Sequence, residues 1–120
     1  MTFKEELEGI CGRVEGSYAA SLMGFDGISI ETVTPTPPDG VELQTLLIEY
    51  SSILSQIKNA AESLQMGKAS EVSIRTEKLL AVARLLTPDY FMVLALGPEG
   101  NLGRARYELR VAGPRVAKEL

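Results

Sequence analysis

The stretch Gly24-Phe25-Asp26-Gly27-Ile28-Ser29-Ile30-Glu31-Thr32 decides how this chain is read. Asp26-Gly27 separates two runs of strand-forming residues. An Asp-Gly pair in that position marks a two-residue type I′ hairpin, in which both central residues take positive φ. Residues 17–25 are therefore expected to pair with residues 28–33. Pro35, Pro37 and Pro38 follow; they fix φ and remove backbone donors, so the second strand stops there and Asp39-Gly40 completes a loop. The hydrophobic patterning resumes at Val41, which makes this loop a connection inside one domain.

Upstream, Phe3, Leu7, Ile10, Cys11 and Val14 recur at helical spacing, with Thr2 as the expected N-cap and Glu5 and Glu6 complementing the positive end of the helix dipole. Downstream, residues 41–66 form the longest periodic segment. Leu43, Leu46, Leu47, Tyr50, Ile53, Leu54, Ile57, Ala60, Ala61 and Leu64 share one side and are assigned to the core, with Gly67 as the stop. A helix of about 25 residues is ~37 Å long at 1.5 Å per residue, more than a small sheet can cover. Glu71 to Glu77 alternates polar and apolar residues, whereas residues 79–86 and 90–96 are apolar on both faces, with Thr87-Pro88-Asp89 as the turn between them. Strands apolar on both sides are covered on both sides. Residues 101–120 again show helical spacing, with Asn101 as cap and a kink or interruption expected at Gly113-Pro114.

The order is helix, two strands, helix, three strands, helix. It predicts an α+β domain spanning residues 1–120: a five-stranded antiparallel sheet with the long helix on one face and the two terminal helices on the other. Such a chain buries a core unaided. Twelve Lys and Arg against sixteen Asp and Glu leave a net charge of −4, which suits neither a nucleic-acid backbone nor an anionic membrane. The sequence has no histidine, so the usual general base and zinc ligand are missing. A single cysteine, an acidic N-terminal segment and the lack of a long apolar run point to a cytoplasmic protein without membrane insertion.

The remaining motifs favour structural roles. Leu96-Gly97-Pro98-Glu99-Gly100-Asn101-Leu102-Gly103 follows a strand and opens a helix, as phosphate loops do. It lacks a Gly-Lys-Ser/Thr sequence and the GxGxxG spacing, so a turn with a helix cap is the favoured reading. Arg104, Arg106, Arg110, Arg115 and Lys118 make the last helix basic; dipole complementation and solvation are favoured over a phosphate or acidic-partner patch. Asp26, Asp39 and Asp89 fall in turns. Cys11 lies on an apolar helix face, and Tyr18, Tyr50, Tyr90 and Phe91 are spread over separate elements. No catalytic residue, cofactor site or metal site is assigned.

The element order, together with residues 24–32, the segment Glu71 to Glu77, the strand Tyr90-Phe91-Met92-Val93-Leu94 and the run Asn101-Leu102-Gly103-Arg104-Ala105-Arg106, resembles the roadblock/dynein light-chain family. Bacterial members of that family regulate a small Ras-like GTPase in gliding motility. The resemblance implies a homodimer or heterodimer, with long helices packed together and edge strands joining two sheets. It also implies a non-catalytic scaffold or GTPase-regulating role, exerted through positioning rather than an arginine finger. Regulation through the long charged tails of some members is not expected of this sequence. A small-molecule-sensing or signalling domain of related fold is the alternative reading.

Two features suggest a dimer independently. Opposite its core stripe the long helix carries Val41, Thr45, Ile48, Ser52, Ser55, Gln56, Asn59, Ser63 and Met66, none of them charged, where a solvated face usually carries Lys and Glu. The strand Glu71 to Glu77 is expected at a sheet edge. Antiparallel pairing of two copies about Ser73 sets Glu71 opposite Arg75 of the second copy, although the same charges also serve to guard an edge against aggregation. Ile48, Ser52, Ser55, Asn59, Glu71, Ser73 and Arg75 are the expected interface residues.

Overall fold

In the computed structural model, which describes residues 1–120, helix α1 (Phe3–Arg13) starts on the expected cap. The Thr2 hydroxyl accepts the Glu5 N–H at 3.1 Å, and the Glu5 carboxylate accepts the Thr2 N–H at 3.0 Å. This capping box satisfies two otherwise open donors. Hydrogen bonding from the Thr2 backbone holds the Glu5 carboxyl below the usual carboxylate range.

The remaining elements are β1 (Ser17–Gly24), β2 (Ser29–Val33), α2 (Leu43–Ser63), β3 (Glu71–Arg75), β4 (Leu80–Leu85), β5 (Tyr90–Leu96) and α3 (Leu102–Lys118). The five strands form one sheet in the order β2-β1-β5-β4-β3, antiparallel at every step. Strands β1, β5 and β4 occupy the centre, where residues are buried on both faces. Strands β2 and β3 are the edges. The α+β order and the expected division of helices between the two faces are both observed. Leu80, Val82, Met92, Leu94 and Leu96 meet α1 and α3, while Ala81, Ala83, Phe91, Val93 and Ala95 meet α2.

Three local expectations are corrected. The β1–β2 hairpin is not a two-residue type I′ turn. In the loop only Gly27 has positive φ, 88°. Its N–H bonds to the Gly24 carbonyl at 3.0 Å, and the Gly24 N–H bonds to the Ile28 carbonyl at 2.9 Å. Phe25, Asp26 and Gly27 therefore form a three-residue loop closed by a left-handed glycine. Asp26 keeps negative φ and uses its carboxylate to accept the Ile28 N–H at 3.0 Å.

Helix α2 is shorter than residues 41–66, and it does not stop at Gly67. Gln65 turns left-handed at φ 58°. The Met66 N–H reaches the Ala61 carbonyl at 2.8 Å and the Gln65 N–H reaches the Glu62 carbonyl at 3.1 Å, the paired bonds of a Schellman ending. Nor do Gly113 and Pro114 interrupt α3, which runs through both. Pro114 removes one backbone donor, but Ala112, Gly113 and Val116 on that turn are buried and hold it against the sheet. A Cβ on Gly113 would lie 3.4 Å from Leu86 Cδ2, which shows how closely α3 sits there.

Candidate protein-interaction face

Helix α2 meets its own sheet through a narrow line: Leu47, Tyr50, Ser51 and Leu54 are its only buried residues. Burial pushes the Tyr50 phenol pKa up. The assignment of the whole apolar stripe to the core is therefore corrected. Ile53 is 43% exposed, Ile57 37% and Leu64 68%, and Ala60 is also exposed. These four residues recur at i, i+4, i+7 and i+11, so they form a row along one flank of the helix. Their periodicity was legible in the sequence; their exposure was not.

The residues named from sequence lie on the other flank. Ile48 is 52% exposed, and Ser52 and Asn59 are exposed with it. This flank rises over the β1–β2 loop. A Cβ on Gly27 would come within 4.0 Å of Ile48 Cγ2 and 3.4 Å of Ser51 Oγ. Ser55 is half-buried, and its hydroxyl donates to the Phe25 carbonyl at 3.4 Å, while the Lys58 ammonium sits 5.2 Å from the Phe25 ring centroid. Ser55 is thus partly engaged within the chain.

Strand β3 is an edge, as expected. Val72 and Ile74 turn toward the α2 layer, where they are half-buried. By strand alternation Glu71, Ser73 and Arg75 point to the opposite face. Ser73 and Arg75 are exposed there. The Glu71 carboxylate already has a partner: Arg106 Nη2 lies 2.8 Å and Nε 2.9 Å from its Oε2. The seven sequence-named residues therefore fall on two surfaces, a helix flank above one sheet face and an edge strand facing the other.

In the glycine-rich turn before α3 three backbone donors are already engaged within the chain. Gly97 N–H is taken by the Gly16 carbonyl, Gly100 N–H by the Gly97 carbonyl and Asn101 N–H by the Glu15 carbonyl. The Asn101 side chain caps α3 by accepting the Arg104 N–H at 3.0 Å. A Cβ on Gly16, at φ +87°, would lie 2.6 Å from Gly100 Cα, so the two turns pack backbone to backbone. Burial pushes the Cys11 thiol up to about 11, which keeps it protonated and unreactive near neutral pH.

An open cleft of about 730 Å³ lies between α1 and the segment after β2, lined by Lys4, Glu8, Cys11, Glu15, Thr32 and Thr36 among others. No buried side-chain polar atom lacks a hydrogen-bond partner, so none waits in this cleft for a ligand. No group of three or more His, Cys, Asp or Glu is placed to hold a metal ion. No helix is long and apolar enough to cross a membrane.

The α-β-β-α-β-β-β-α order around an antiparallel sheet matches the roadblock fold. The structure superposes on the Roadblock/LC7 domain of Streptomyces avermitilis with a TM-score of 0.82 at 16% identity, covering 99% of this chain and 98% of that one. It matches the gliding protein MglB from Thermus thermophilus with a TM-score of 0.81 at 19% identity, covering 97% and 88%. With MglC from Myxococcus xanthus the identity is 48% over 100% of both chains, at a TM-score of 0.72. The chain belongs to the roadblock/MglB-like family. No protein-family model matches it, and no curated protein does.

Proposed function

We propose that this chain is a non-catalytic interaction module that dimerises through α2 and β3 and, as a dimer, regulates or scaffolds a small Ras-like GTPase. The observation that carries the reading is the exposed row Ile53, Ile57, Ala60 and Leu64 on α2, on a molecule that also leaves the β3 edge unpaired. A contiguous exposed apolar row on a well-packed domain marks a surface that another protein covers. An open strand edge offers that protein a ladder of unpaired N–H and C=O groups. Kinship with MglC and the fold shared with MglB support a role in a motility-type GTPase system.

Pairing of two β3 strands about Ser73 brings Arg75 of a second copy to Glu71, where Arg106 already sits; the carboxylate then bridges two guanidiniums. The contribution of such exposed pairs is about 0.2–1 kcal/mol each, enough to set a register. The apolar helix row supplies the larger share of the association. Light scattering tests this: the wild-type chain is expected to be dimeric, Ile57→Glu monomeric, and Arg75→Glu weakened but still associating. A dimer undiminished by both Ile57→Glu and Ile48→Glu removes α2 from the interface. Single-turnover GTP hydrolysis by a Ras-like GTPase encoded beside this chain then separates regulator from scaffold, and no acceleration leaves scaffolding alone.

A further inference from the structure

We propose that the outward face of α3 is a docking surface for an acidic segment of a partner protein, one that combines Glu or Asp with an apolar side chain. Helix α3 carries Arg104, Arg106, Arg110, Arg115 and Lys118 against a single carboxylate, Glu108, so it contributes +4 to a chain whose net charge is −4. Its one carboxylate does not reach the surface. Glu108 is buried, with Arg13 Nε at 2.6 Å and Arg104 Nη2 at 2.9 Å.

The same polarity recurs along the helix. Arg115 grips Glu6 through Nε at 3.2 Å and Nη2 at 3.1 Å. Across the four ion pairs of α3 the guanidinium side chains are 46–55% exposed, whereas the Glu108, Glu6 and Glu71 side chains are 6–22% exposed. Each pair therefore points its negative end inward and its positive end outward. A guanidinium has five donors, and none of these pairs uses all of them, so N–H groups remain for a second carboxylate. Arg110 and Lys118 have no ion-pair partner.

The face is also ordered and partly apolar. Two guanidiniums, those of Arg104 and Arg110, each lie 5.6 Å from the Tyr107 ring centroid. Tyr107 and Val111 are exposed, and Pro114 lies one turn on along the same surface. Arg and Tyr are the residue types that dominate binding hot spots. Arginines already held by internal carboxylates and by an aromatic ring lose less freedom when a partner arrives, which favours association.

Charge complementarity selects the occupant. A nucleic acid would meet one short basic helix on an otherwise acidic molecule. A bilayer would find only Tyr107 and Val111 to insert, because the apolar side of α3 is buried in the core. A short acidic segment fits the patch.

The test uses the full chain and a short labelled peptide of alternating Glu and Leu. The Lys-Leu counterpart, phosphatidylserine vesicles and a single-stranded oligonucleotide serve as comparisons. The Glu-Leu peptide is expected to shift the amide resonances of residues 102–118 and to bind more weakly as salt rises. Binding should fall about tenfold on Arg110→Glu, equivalent to about 1.4 kcal/mol, and measurably on Tyr107→Ala. Arg110 makes no ion pair, so its reversal should leave thermal unfolding unchanged, and Ile57→Glu on the opposite layer should leave peptide binding unchanged. The proposal is overturned by resonance shifts confined to other elements, by no binding, by equal binding to Arg110→Glu and Tyr107→Ala, or by preferential binding of the vesicles, the oligonucleotide or the Lys-Leu peptide.

Discussion

Helix α3 has 17 residues and buries six of them, whereas α2 has 21 and buries four. The two helices cover opposite faces of one sheet, but they are secured differently. All four ion pairs in the molecule involve α3: Arg13–Glu108, Arg104–Glu108, Arg106–Glu71 and Arg115–Glu6. With Asn101 capping it and α1 beside it, α3 belongs to a layer of 16 buried apolar residues, against ten on the α2 side. Helix α2 has no side-chain N-cap and no ion pair. Its apolar surface exceeds what its own sheet covers. One face is finished inside the chain and turns charge outward; the other turns apolar side chains outward.

The sharpest way to break this contrast is truncation on each side. Leu109→Ala, at a site 1% exposed, is expected to cost about 2–5 kcal/mol in urea unfolding. Ile57→Ala should change the stability of the monomer by no more than about 0.5 kcal/mol, the range for surface substitutions. Equal costs at both sites would mean that α2 is as fully packed within the chain as α3.

Next in size is the α1–α3 contact. Glu108→Gln removes the buried charge shared by Arg13 and Arg104 and turns one of its two acceptor oxygens into an NH2 donor that faces a guanidinium, and about 1–3 kcal/mol should be lost. A change near zero would show that these pairs guide surface charge without securing the helix. The smallest effect concerns Cys11, buried in the α1 layer. Its thiol pKa is raised from 9.0 to about 11, so the stability this site contributes is present below pH 9 and is lost as pH climbs toward 11, where the unfolded chain ionises first. Iodoacetamide at about pH 8, below the ordinary thiol pKa, should label Cys11 far more slowly in the native protein than in urea. Equal rates would place this end of the layer open to solvent.

Much of this was legible in the chain itself. Thr2 and Asn101 announced their helices, the alternation of residues 71–77 announced an edge strand, and the doubly apolar runs announced the centre of the sheet. Failures occurred where a local signal had more than one solution. Asp26-Gly27 is compatible with a two-residue turn, but here one more residue enters the loop and only the glycine adopts positive φ. Gly113-Pro114 usually breaks a helix, but burial on both sides carries α3 across it. The expected interface residues Ile48, Ser52 and Asn59 are exposed, and so are Ile53, Ile57, Ala60 and Leu64, although the spacing of these four is that of a buried stripe.

The sequence by itself determined the order of elements, the antiparallel sheet and the division of helices between its faces, because periodicity, caps and turn residues act over a few neighbouring positions. Only the tertiary structure decided which apolar side chains of α2 are covered and that the acids near α3 point inward while its arginines point outward. Burial and ion pairing depend on what lies across from a residue, and along the flank of α2 from Ile53 to Leu64 no other element of the chain covers the row.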